Sequence, residues 1–107
     1  MAIVRFVFAA LKPGVDCAAY EKFEREVDYA ISATLKTIVS YRTHRITGTG
    51  AGLLGGPWDY VERIEVTDRA AYEAELAEKG KELLTELYEG YLDKSKTVSV
   101  WSERIEP

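Results

Sequence analysis

One cysteine, one histidine, one methionine and three prolines are all that 107 residues contain of these types, and each shortage removes a class of protein. A lone Cys17 cannot form an internal disulfide or a multi-cysteine zinc or redox site, which suits a reducing, cytoplasmic setting. A lone His44 leaves no second imidazole to complete a histidine-based metal centre, so neither a metal nor a cofactor is expected. Positive charge is also short: fourteen Lys and Arg against eighteen Asp and Glu give a net charge of −4, a field that repels nucleic acid and anionic membrane surfaces alike. No apolar run approaches the ~18 residues of a membrane span. The richest, Ile3 to Leu11, is interrupted by Arg5 and closed by the turn signal Lys12-Pro13-Gly14, and reads as a buried strand rather than a secretory signal.

What the chain does have is alternation. Thr37 to Thr47, the glycine-rich stretch Gly48 to Pro57, and Trp58 to Val66 form a long hairpin pattern with period 2 on both sides of the turn, which predicts two antiparallel strands with both faces in use. A sheet face carrying Arg42, His44, Tyr60 and Glu62 among aliphatics would line a polar cavity. Ile3 to Leu11 supplies a strand with Phe6 and Phe8 on one face and Arg5 and Val7 on the other, and Lys96 to Ile105 closes the chain as a fourth strand. Between them Asp16 stands where an N-cap should, ahead of Tyr20, Phe23, Val27 and Ile31 at helical spacing. This helix is expected from about Cys17 to Ser32, with Glu21, Lys22, Glu24 and Arg25 on its wet side. Thr67-Asp68 caps a second helical region in which Tyr72, Leu76, Leu83, Leu87 and Tyr91 keep one phase across Gly80, as one helix with a weak point or two short ones in register.

Strand, helix, strand, strand, helix, strand in a single domain predicts an α+β ferredoxin-like βαββαβ sandwich: a four-stranded antiparallel sheet with two helices on one face. The other face would stay bare. Trp101 and some of Val7, Tyr60 and Ile64 are expected there, too apolar for open water, so a second copy should cover them and make a homodimer.

Chemistry-bearing residues are few. His44 alone titrates near neutrality, and Arg42 shares its face two residues earlier, so His44 is a candidate proton carrier, with Arg42 or Arg5 as partner to an anion or carbonyl; the alternative is a structural hydrogen-bonding histidine. Trp58, Tyr60 and Trp101 could stack on a planar apolar ligand, or simply pack in the core or a dimer interface. Glu62 and Glu65 point to opposite faces and cannot act as a catalytic pair. Gly50-Ala51-Gly52-Leu53-Leu54-Gly55 fits the dinucleotide fingerprint in letters, but Gly55-Gly56-Pro57 forbids the helix on which a pyrophosphate would sit. The stretch reads instead as a flexible loop able to act as a lid, with Leu53 and Leu54 at its tip.

Val4 to Gly14 (VRFVFAALKPG), Tyr20 to Tyr29 (YEKFEREVDY), His44-Arg45-Ile46 and Trp58 to Leu76 (WDYVERIEVTDRAAYEAEL) carry a resemblance. Taken together the chain resembles the dimeric α/β-barrel group, and within it the REDY-like HapK family of prodigiosin-type pigment clusters. The resemblance implies a homodimer whose two sheets close into a barrel, with pockets inside the barrel or between each sheet and its helices. Monooxygenase-like members of the group commonly carry a histidine in the helix after the third strand; the matching region, Tyr72 to Leu76, has none. The function implied is binding of an aromatic, largely apolar pigment-pathway intermediate, with a cofactor-free step on it or, alternatively, a non-catalytic binding or scaffold role for a pathway enzyme.

Overall fold

Four segments of alternating residues are extended: β1 (Ile3–Ala9), β2 (Ile38–Arg45), β3 (Tyr60–Val66) and β4 (Val98–Glu103). In the computed structural model, which describes residues 2–53 and 55–107, they pair antiparallel in the order β2-β3-β1-β4. The first helical run consists of α1 (Cys17–Phe23), a π-helical turn (Glu24–Asp28) and α2 (Tyr29–Ser32). It starts on Asp16, whose carboxylate accepts from the Ala18 amide at 3.2 Å. The second begins on Asp68, which accepts from the Ala71 amide at 2.8 Å, and splits at Gly80 into α3 (Arg69–Lys79) and α4 (Lys81–Gly90). The helices pack on one face of the sheet, as the ferredoxin-like expectation requires.

The core lies between helices and sheet in two clusters. Ala9, Tyr20, Phe23, Tyr60, Leu83, Leu87 and Leu92 form one; Val7, Tyr41, Ile64, Val66 and Tyr72 form the other. Leu53 is exposed in the connection between β2 and β3; Leu54, its expected companion at the loop tip, lies outside the described residues.

Register corrects the expected faces. Arg42 pairs with Arg63, His44 with Val61, Thr43 with Glu62 and Arg45 with Tyr60, and partners across an antiparallel ladder share a face. Arg42 and His44 therefore stand on the uncovered face, while Tyr60 and Glu62 face the helices. Alternation sets which residues of one strand go together, but the phase between two strands depends on the loop joining them. Trp101, Val7, Tyr60 and Ile64 likewise belong to the helix-covered face, not the bare one. The bare face carries Phe6, Phe8 and Val61 with Val98 and Val100, the last two exposed. Trp58 precedes β3 and packs on Phe8 of that same bare side, ring centroids 5.1 Å apart, so it does not share a face with Tyr60. Glu24, expected on the wet side, is buried: the π-helical turn takes more residues per turn than an α-helix, and Glu24, Asp28 and Ser32 turn inward beside Tyr20 and Phe23.

Candidate functional site

Among the open clefts that flank the helix-covered face of the sheet, two contain a guanidinium held by side chains of other elements. The first, about 340 Å³, lies between the edge strand β4 and helices α3 and α4, lined by Arg5, Tyr72, Leu76, Leu84, Ser99 and Trp101. Its floor is Arg5, whose Nε donates to Ser99 Oγ at 2.8 Å and whose Nη1 donates to Tyr72 Oη at 3.0 Å. Tyr72 and Trp101 meet edge to face at 5.7 Å, and the Arg69 guanidinium covers the Trp101 ring at 5.1 Å. A fixed guanidinium beside two aromatic walls suits a planar apolar ligand with one carbonyl or anionic group.

The second cleft, about 250 Å³, opens between the first helical run and β2 and is lined by Glu21, Glu24, Tyr29, Thr43, Arg45 and Tyr60. Glu21 closes it by accepting both Arg45 donors, Nε at 2.8 Å and Nη2 at 2.7 Å, together with the Tyr60 hydroxyl. The Tyr60 hydrogen bond first, then Arg45, holds the Glu21 carboxyl below its usual range.

Behind this cleft three carboxylates meet. Glu24 and Asp28 come from the π-helical turn, Glu62 from the centre of β3. Tyr41 Oη donates to Asp28 Oδ2 at 2.9 Å and lies 3.4 Å from Glu24 Oε2; Ser32 Oγ is 3.2 Å from Asp28 Oδ1; Tyr20 Oη is 3.4 Å from Glu62 Oε1. Burial, then the charges of Glu62 and Asp28, raises the Glu24 carboxyl far above the ordinary range, and burial, then Asp28, raises Glu62. The phenols of Tyr20 and Tyr41 are raised as well, by burial first and then by Glu62.

Of the residues singled out in the sequence, the structure gathers Arg5 and Trp101 in the first cleft and places Tyr60 in the second. Arg42, His44 and Trp58 lie on the other side of the sheet. Asp28, Tyr41, Tyr72 and Ser99 were missed, and Glu24 was misassigned. A signal for part of this set was present: Tyr20, Glu24, Asp28 and Ser32 recur every fourth residue, a polar-tipped stripe in phase with the buried Tyr20.

Fold and cleft together define an α+β ferredoxin-like domain with its cavities between sheet and helices. A family model described as REDY-like protein HapK matches residues 3–105, and the chain belongs to that family. HapK from Hahella chejuensis superposes with a TM-score of 0.72 at 23% identity, over 97% of this chain and 94% of that one. A dabb family protein with a ferredoxin-like fold from Mesorhizobium loti gives a TM-score of 0.65 at 12% identity, over 99% and 100%. At3g17210 from Arabidopsis thaliana gives 0.75 at 11% identity, over 98% and 97%. At these identities the likeness is one of fold. Among curated proteins none matches the chain. No helix among the described residues is long and apolar enough to cross a membrane.

Proposed function

We propose that this protein binds a small aromatic, largely apolar intermediate of prodigiosin-like pigment biosynthesis in the cleft between β4 and helices α3 and α4. The observation that carries the reading is Arg5, held on the cleft floor by Ser99 and Tyr72 with Trp101 alongside. The cleft volume falls at the lower end of the range of about 300–1,000 Å³ for small-molecule sites. Membership of the HapK family supports the pathway. Arg5 would orient a carbonyl or anionic group while Tyr72 and Trp101 pack on the ring.

Whether the ligand reacts or is only carried is decided by the pathway. Deleting the coding sequence in a pigment-producing host and profiling intermediates should show one compound accumulating and its successor missing if the protein is an enzyme. A uniform fall in pigment would mark a binding or scaffold role. Complementation with Arg5→Gln or Trp101→Leu should fail in either case; full rescue by both would exclude this cleft. A second reading rests on Arg42 and His44 sharing the uncovered face. In a barrel closed by two such faces they line the interior, with His44 as proton carrier, and rescue by His44→Gln would end that role.

A further inference from the structure

The carboxylates of Glu24, Asp28 and Glu62 are only 3%, 3% and 4% exposed, and each offers an oxygen within 4.8 Å of the others. Buried carboxylates persist by pairing with a cation, by taking up protons or by ligating a metal. Pairing is not what happens here. Among the described residues no lysine or arginine nitrogen comes within 4.0 Å of any of the three. Arg5 lines the adjoining void with Asp28 and Glu62 and its charge acts on Glu62 from there, but its Nε and Nη1 donate to Ser99 and Tyr72 instead of to a carboxylate.

Hydroxyl groups reach four of the six carboxylate oxygens, and of the other two Glu24 Oε1 is sealed from solvent. Glu24 Oε2 has Tyr41 and Thr43 hydroxyls at 3.4 Å, whereas Glu24 Oε1 is fully buried with no hydrogen-bond partner. A buried acceptor without a donor is unfavourable, and this one belongs to a carboxylate grouped with two others. On the far side from Glu24, Asp28 and Glu62, with Ser32, Tyr41 and Arg5, form the polar end of an otherwise apolar void of about 30 Å³. That is room for a single water or ion and for no organic ligand.

We infer that Glu24, Asp28 and Glu62 form a binding site for one hard divalent cation of calcium or manganese size. An all-oxygen set of carboxylates and hydroxyls selects such ions over zinc or copper. Two oxygens on opposite sides of an ion at about 2.3–2.6 Å lie about 4.6–5.2 Å apart, so atoms within 4.8 Å of one another can share one ion of this size. Tyr20, Tyr41, Ser32 and Thr43 supply the outer hydroxyl shell that orients ligating carboxylates. The cleft that reaches Glu24 provides the way in. The site adjoins the Arg5 cleft without sharing its ligand-facing residues, and its test does not depend on the pigment-pathway reading.

Chelator-treated protein titrated with Mn²⁺, followed by loss of the free-ion electron paramagnetic resonance signal, should bind one ion per chain with a Kd below about 10⁻⁴ M, and Ca²⁺ should compete. Glu24→Gln and Glu62→Gln should each weaken binding at least about tenfold with the wild-type circular dichroism spectrum retained. No binding at about 1 mM Mn²⁺, or equal binding by both variants, overturns the inference. Should a variant fail to fold, manganese-soaked crystals of the wild-type protein decide. An anomalous peak among the three carboxylates supports the site; no peak, or peaks on surface carboxylates alone, an adventitious ion only, overturns it.

Discussion

Glu75 shows how one side chain fixes a junction that no strand or helix pattern specifies. From α3 it accepts from the Thr37 hydroxyl at 2.6 Å and from the amides of Lys36 and Thr37 at 2.9 and 3.0 Å, tying the helix to the entry of β2. The Thr37 hydroxyl first, then the two amides, lowers this carboxyl from 4.5 to about 2. A carboxyl lowered in the folded state favours folding fully above its unfolded value, and that contribution disappears as pH falls from about 4.5 towards 2. Urea midpoints measured across this interval should fall more steeply for the wild-type protein than for Glu75→Gln. Parallel curves would show that the latch contributes nothing. Trp101 and Arg5 were legible from the sequence as candidate residues, but Glu75 was not, because its partners are a hydroxyl and backbone amides nearly forty positions away.

Gly80 and Asp68 punctuate the second helical region in ways that propensity alone misjudges. Replacing a glycine between helices with alanine would ordinarily add up to about 1 kcal/mol. Here a Cβ on Gly80 would meet the Leu76 carbonyl oxygen at 2.8 Å, with Leu76 Cδ1 also too close. Gly80→Ala should therefore destabilise by about 1–3 kcal/mol, the cost of overpacking; a gain in the urea midpoint would show that the helix ends move apart freely. Asp68→Ala should cost about 1 kcal/mol through the lost cap on the Ala71 amide, and Asp68→Asn much less. Both helix starts, at Asp16 and Asp68, were readable from residue type and position. The π-helical turn at Glu24–Asp28 was not, because its sequence fits an α-helix equally well and it is only in the folded chain that the buried carboxylates lie together.

At the scale of the whole molecule the bare sheet face governs. Phe6, Phe8, Val61, Val98 and Val100 share it with Arg42, His44 and Arg63, an apolar surface rimmed by polar groups of the kind that marks a protein contact. A second copy of the chain is the expected cover. Val100 is 41% exposed in the single chain, so Val100→Asp should leave the fold intact while converting a dimer to a monomer in sedimentation velocity. An unchanged sedimentation coefficient would place the contact elsewhere.

The sequence by itself determined the element order, the helix caps, the alternation within each strand and hence the ferredoxin-like class, because all of these follow from residues close together along the chain. It also determined that Glu62 and Glu65 point apart. Only the tertiary structure decided which strand faces belong together, for register depends on how a fourteen-residue connection, Ile46 to Asp59, closes between β2 and β3, and a shift of one residue exchanges the two faces. That phase moved His44 and Arg42 away from Glu62 and Tyr60, and put Glu62 beside two carboxylates from a helix more than thirty positions away. Such proximity arises from packing across the core, and no local pattern of residues encodes it.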